Sequence, residues 1–337
     1  MSPAVPRSRG LLIALLVGVV LAATGCSGGT GPTPPDRPLT PATGSFPATV
    51  PTAFGDVTIP EEPQRVVALG WGDAETAIAL GVRPVGAADW MEFGGDGLGP
   101  WVQQRYDTPP AQLGTMELDL ERIAALEPDV ILDTRSSGDP QRYDQLSKLG
   151  APVIAPPAGA PQYLTTWQDQ LAMVGAALGR TQQAERLRAD LDGKFARAAR
   201  EHPEFRGTEV ALGSRTSSGY GVYLDGSSRM EFMRSLGFTN SRAIQQQARP
   251  GQFTMEISAE RLDLLDADLT AMFPIYTDPA EVTRDPLYRA VPSVRDGRSV
   301  MLPDQEPAGQ AISSGSVLGL SYALDATVPE FAEALAR

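Results

Sequence analysis

Leu118-Asp119-Leu120-Glu121-Arg122-Ile123-Ala124-Ala125-Leu126-Glu127-Pro128-Asp129-Val130-Ile131-Leu132 decides the fold. Leu120 to Leu126 has helical spacing, Pro128 closes it, and Asp129 to Leu132 is a short apolar run of strand type. Such a run, with no polar alternation, belongs to a strand buried on both faces. The same grammar extends outward. Val66-Val67-Ala68-Leu69, Val85-Gly86-Ala87-Ala88 and Val153-Ile154 read as further strands. Asp73 to Leu80, with Asp73 as N-cap and Gly81 as stop, and Tyr143 to Leu149, ended by Gly150, read as the intervening helices. Strands separated by helices predict a parallel sheet with right-handed crossovers.

Towards the C-terminus the alternation gives way to a long helical region. Leu171, Val174 and Leu178 share one face, Gly179 breaks the run, and Thr181 is placed to cap a second stretch carrying Leu187, Leu191, Phe195 and Ala198. At 1.5 Å per residue, Tyr163 to Arg200 exceeds about 40 Å, long for packing on one small sheet and suited to a strut between two lobes. The strand–helix pattern then restarts. Val210-Ala211-Leu212, Val222-Tyr223-Leu224, Leu269 to Phe273 and Val300-Met301-Leu302 are strands; Ser228 to Leu236, Ala259 to Leu265 and the region from Ser316 to Leu324 are helical. Glu260-Arg261-Leu262, five residues and Asp268-Leu269-Thr270 echo Glu121-Arg122-Ile123, five residues and Asp129-Val130-Ile131, a weak internal repeat.

The N-terminus reads differently. Arg7 and Arg9 precede an apolar run from Leu11 to Ala23, too short to span a bilayer and typical of an export signal. Ala22-Ala23-Thr24-Gly25-Cys26 resembles the lipobox of bacterial lipoproteins, departing from it at Ala23, where the pattern prefers Leu. An ordinary secretory signal or an uncleaved anchor are the alternatives. Cys26 is the only cysteine, so no internal disulfide exists, and acylation would consume the odd thiol. Residues 27–53, rich in Gly, Pro, Thr and Ser, are expected to form a disordered tether. The expected organisation is thus a signal over 1–26, the tether over 27–53, an N-terminal α/β lobe over 54–160, an interlobe helix over 161–202 and a C-terminal α/β lobe over 203–337. The net charge of −13 and pI near 4.6 argue against nucleic-acid partners.

Several stretches in this order resemble the solute-binding proteins of ABC importers for ferric siderophores, haem and cobalamin. They are Pro63 to Leu69 leading into Glu75 to Gly86; Leu118 to Leu132; Ile257 to Leu262; and Leu287 to Arg298. The resemblance spans roughly residues 55 to 335. It implies two Rossmann-like α/β lobes joined by one long helix, a ligand cleft between them, little hinge closure, and no catalysis. It also implies that Glu121 and Glu260, one on each lobe, dock on arginines of the permease; from the residues alone, each is a Glu near a helix N-terminus.

In open α/β sheets the ligand lies beyond the C-terminal strand ends. Candidate ligand contacts are therefore Trp71, Trp90, Met91 and Arg135 in the first lobe and Arg215, Tyr220 and Tyr276 in the second. Trp101 and Tyr106 flank the Gly-rich stretch Gly94 to Pro100 and are expected to fold over the cleft. Arg offers a fork to chelate oxygens, and aromatics offer flat faces; core packing or a solvated surface is the plain alternative for each. His202 is the only histidine, expected on an exposed loop, which disfavours a bare-metal or His-ligated haem receptor. A chelate whose iron is already coordinated needs no direct metal ligand and no cofactor. The expected function is a monomeric receptor held to the outer face of the cell membrane, passing a ferric siderophore to an ABC permease. A cobalamin or haem receptor is the alternative in the same class, and an extracytoplasmic α/β hydrolase the alternative in another. Gly94 to Gly99 lacks dinucleotide-fingerprint spacing, and Ala311 to Gly315 lacks the first Gly of a nucleophile elbow.

Overall fold

The computed structural model of the chain describes residues 44–249 and 251–337. Cys26, the signal and the tether up to residue 43 lie outside the described residues.

Regular structure is present before residue 54, within the expected tether. β1 (Ala48–Thr52) pairs antiparallel with β2 (Gly55–Ile59) in a hairpin, where a tether running to Ala53 was expected. Alternation explains the difference. Val50 is only 1% exposed, and Ala53 N–H donates to Pro156 O at 2.8 Å, so the inward residues anchor a segment whose composition looks disordered. Pro51 is accommodated because this is a two-stranded edge.

The first lobe contains β3 (Val66–Ala68), α1 (Asp73–Ala79), β4 (Gly86–Ala88), β5 (Ala111–Leu113), α2 (Leu120–Ala125), β6 (Val130–Leu132), α3 (Pro140–Ser147) and β7 (Val153–Ile154). Its sheet order is β5-β4-β3-β6-β7, parallel throughout. The two-residue period of the strands divides the core. Val67, Ile131 and Val153 face Ile123 of α2 and Leu146 of α3, while Val66, Val130, Leu132 and Ile154 point to the other side. α1 is capped by Gly72 at φ 79° rather than by Asp73, whose carboxylate is engaged elsewhere.

The helical region is divided at Gly179 into α4 (Trp167–Ala177) and α5 (Thr181–Glu201). Tyr163 and the three residues after it lie outside α4, which Thr166 caps through its side chain. Arg180 occupies the N-cap position of α5, so Thr181 is inside the helix. α5 alone, 21 residues and about 31 Å, is the long connecting helix. It packs closely on α4, since a Cβ built on Gly175 would fall 2.6 Å from that of Ala184.

The second lobe comprises β8 (Glu209–Thr216), β9 (Gly219–Tyr223), α6 (Ser228–Leu236), β10 (Thr239–Asn240), α7 (Arg242–Gln245), β11 (Thr254–Ile257), β12 (Leu269–Pro274), α8 (Pro279–Arg284), α9 (Pro286–Ala290), α10 (Pro292–Arg295), β13 (Ser299–Met301), α11 (Pro307–Ser314) and α12 (Val317–Leu335). The sheet order is β11-β9-β8-β12-β13, with β10 on the start of β8. β8, β12 and β13 are parallel as expected, but β9 is antiparallel to both β8 and β11. Only Ser217 and Ser218 separate β8 from β9, enough for a hairpin and far too few for a crossover. Ala259–Leu265 is the expected short helix, of 3₁₀ type and kinked at Arg261.

The internal repeat has a structural meaning. Asp129 accepts from Gln64 N at 2.6 Å and Arg65 N at 2.9 Å, tying the entry of β6 to that of β3. Asp268 accepts from Glu209 N at 2.9 Å and ties β12 to β8 in the same way. One apolar cluster runs from Val66 and Leu132 through Val174, Leu191 and Leu320 to Val210 and Phe273, so the lobes share a core through α4, α5 and α12.

Candidate functional site

The C-terminal edges of the two parallel arrays face each other. After β12, Tyr276 turns in the left-handed region at φ 48° and its side chain comes near Glu92, which follows β4 in the other lobe at φ 55°. Burial and the nearby Glu92, Asp304 and Asp89 carboxylates raise the Tyr276 pKa. Non-glycine residues held at positive φ carry strain and cluster at functional sites.

On the first lobe, Trp71 is the centre of a three-ring stack. Trp90 lies on it at 4.3 Å and 6°, and Tyr163 at 4.3 Å and 26°. Met91 follows Trp90, half-buried, and the Tyr163 hydroxyl donates to Met116 Sδ at 3.4 Å. The stack is positioned from beneath. Trp71 N–H donates to Arg135 O at 2.9 Å, and Gln170 Nε2 donates to Trp71 O at 2.9 Å. Gln170 also donates to Asp73 at 2.7 Å, and Thr134 donates to Asp73 through both its backbone and its hydroxyl. Burial pushes the Asp73 carboxyl up to about 6, with the Thr134 and Gln170 hydrogen bonds opposing. Asp89 holds the next loop by accepting from Phe93 N at 3.0 Å and Gly94 N at 2.7 Å.

On the second lobe, the Arg215 guanidinium lies 5.1 Å from the Tyr220 ring centroid and donates to Thr216 O. The Tyr220 hydroxyl donates to Asp285 at 2.7 Å; burial first, then that carboxylate, raises its pKa. Arg229, on the first turn of α6, lies over Tyr223 at 4.5 Å and Phe273 at 5.1 Å and donates to Ser313 Oγ at 2.6 Å. Ser214, Gly221, Tyr223, Arg229 and Met255 line a groove of about 330 Å³. Among the enclosed donors without a hydrogen-bond partner, Trp71 Nε1 belongs to the first-lobe stack and Arg229 Nε to the wall of this groove.

The expected contacts therefore separate. Trp71, Trp90 and Met91 come together, as do Arg215 and Tyr220, and Tyr276 is 65% exposed at the cleft. Trp101 sits elsewhere: its indole N–H donates to Glu75 at 3.1 Å and its ring faces Tyr322 of α12 at 6.0 Å. Tyr106 is buried with Ile78, Leu98 and Val102 instead of folding over the cleft. Arg135 is buried at the junction of the lobes, donating to Tyr163 O at 3.0 Å and Ser314 O at 2.9 Å, and burial followed by the neighbouring Arg229 pulls its pKa down to about 10. His202 is half-buried, its Nδ1 2.8 Å from Glu204 and its ring stacked on Phe205. Sequence reasoning missed Tyr163, Glu92 and Arg229. A positive φ at the first two is invisible in composition, and Arg229 reads as one more polar helix residue.

Glu121 and Glu260 are both exposed. α2 runs from the C-terminal edge of the sheet back to the start of β6, so Glu121 on its first turn is at the cleft edge. The 3₁₀ helix links β11 to β12, which run in the same direction, so Glu260 occupies the matching edge of the second lobe.

Two α/β lobes with opposed strand ends define a two-lobed binding protein. The periplasmic binding protein family matches residues 66–306, and the chain belongs to that family. It is 25% identical over 291 residues to a probable siderophore-binding lipoprotein of Bacillus subtilis, covering 79% of this chain and 82% of that one. A periplasmic solute-binding protein of Mycobacterium smegmatis superposes with a TM-score of 0.73 at 29% identity, covering 86% of this chain and 98% of that one. PiaA of Streptococcus pneumoniae in complex with ferrichrome has the same fold, with a TM-score of 0.72 at 24% identity over 86% and 99% of the two chains.

Proposed function

We propose that this chain is the solute-binding receptor of an ABC importer, capturing a ferric siderophore and delivering it to the membrane permease. The reading is carried by the Trp90–Trp71–Tyr163 stack on one lobe together with the guanidiniums of Arg215 and Arg229 on the other. Flat apolar faces bury an organic chelate, while guanidiniums donate to the oxygens around its iron. No bond is made or broken. The name of the Bacillus subtilis relative supports the ligand class. Glu121 and Glu260 dock the loaded receptor, where rim charges set register and association rate. Acylation of Cys26 holds the lobes beside the permease and raises their effective concentration.

Uptake of radiolabelled ferric siderophore tests the reading. Cells lacking this chain lose accumulation and regain it with the intact gene; unchanged uptake in the deletion contradicts the proposal.

A further inference from the structure

We infer that the cleft is built for an uncharged or singly cationic ferric tris-hydroxamate, and against trianionic tris-catecholate and polycarboxylate chelates. The inference rests on the receptor reading above and follows from the charges that front the cleft. Three guanidiniums are present. Arg135 is enclosed and committed to the Tyr163 and Ser314 carbonyls. Arg215 lies over the Tyr220 ring, whose hydroxyl donates to Asp285 at 2.7 Å. Arg229 lies near Asp304, which accepts from Tyr276 N at 3.0 Å. That leaves Asp89, whose carboxylate accepts from the neutral Phe93 and Gly94 amides, and Glu92, which lies beside Tyr276. Asp285, Asp304, Asp89 and Glu92, with the buried Asp73 beside Arg135 as a fifth carboxylate, thus outnumber the three guanidiniums, and the surplus negative charge sits where the lobes meet. A trianion entering this space meets like charge, which is a specificity device against the wrong partner.

The polar contacts left open match a neutral ligand rich in acceptors. Among the enclosed donors without partners, Trp71 Nε1 in the first-lobe stack and Arg229 Nε in the second-lobe groove are suited to hydroxamate oxygens. Around them the first-lobe wall is aromatic and thioether: Trp90, Tyr163, Met91 and Met116. Such a wall covers the methylene spacers of a linear hydroxamate, and Met adapts to their shape. A terminal ammonium on the ligand would meet Glu92.

The test titrates the full-length chain with four probes: a linear ferric tris-hydroxamate bearing a terminal amine, its N-acetylated form, a ferric tris-catecholate and ferric dicitrate. Both hydroxamates are expected to bind at least about tenfold tighter than the two anions. The amine form is expected to exceed the acetylated form by about threefold or more, and Glu92→Gln to erase that difference, the ratio of the two affinities within the variant being the readout. Equal or tighter binding of the tris-catecholate or dicitrate overturns the inference while leaving the receptor reading intact. Binding of haem or cobalamin with none of the four ferric chelates overturns both.

Discussion

Glu75 and Ser316 meet across the junction of the lobes: the hydroxyl that caps α12 also donates to the fully buried Glu75 carboxylate of α1. The same carboxylate accepts from Gly99 N at 3.0 Å and Trp101 Nε1 at 3.1 Å, so one side chain joins α1, the glycine-rich loop and the second lobe. Removing it leaves two buried donors and the part-buried Trp101 Nε1 unpaired, each buried one costing about 1–3 kcal/mol. Glu75→Ala is therefore expected to lower stability by at least about 2 kcal/mol in chemical denaturation, and Glu75→Gln by less, because its amide oxygen keeps part of the contacts. Loss below about 0.5 kcal/mol in both variants contradicts a joining role.

Asp73 makes a pH-dependent contribution of defined sign. Its folded pKa is raised from 3.8 to about 6, so between those values the folded state binds more protons than the unfolded state. Stability from this group therefore rises as pH falls through 6 and is complete below 3.8. Relative to Asp73→Asn, the wild type is expected to gain up to about 3 kcal/mol on going from neutral pH to below the unfolded value. Denaturation of the pair at several pH values checks this; a constant difference contradicts it.

Trp71 contributes two ring pairs and one enclosed donor. Aromatic pairs are worth about 0.5–1.5 kcal/mol each beyond their buried area. Trp71→Ala is expected to weaken ligand binding by at least about tenfold, with Trp71→Phe intermediate. Ligand titration of both variants decides, and an unchanged Kd in Trp71→Ala removes the stack from the binding site.

Glu121 and Glu260 predict a separation of binding from delivery. The double variant Glu121→Ala with Glu260→Ala is expected to retain the wild-type Kd while cellular uptake falls severely. Weakened ligand binding in the double variant places these residues in the ligand site instead.

The parallel core was legible in the chain because Val66 to Ala68 and Val130 to Leu132 are buried on both faces and read as uninterrupted apolar runs. Other features depend on partners far away in sequence. Asp73 looks like a cap, but Thr134 and Gln170, 61 and 97 residues on, claim its carboxylate. Arg135 looks like a ligand fork, but the Ser314 carbonyl 179 residues away takes one of its donors. The reversal of β9 turns on a two-residue link, and the β1 strand hides in a Pro- and Thr-rich stretch whose composition argues against order. The aromatic wall was half legible: Trp71 and Trp90 follow strands, whereas Tyr163 joins them only through a left-handed turn at φ 60°.

The central claim is that the cleft between the lobes receives an iron chelate. Titrating the full-length chain with one siderophore in its ferric and iron-free forms, alongside haem and cobalamin, and following tryptophan fluorescence, tests it most directly. The account predicts saturable quenching by the ferric form at about 1 μM or below and at least about tenfold weaker binding of the iron-free form. Saturation by haem or cobalamin, with no response to any ferric siderophore, contradicts it.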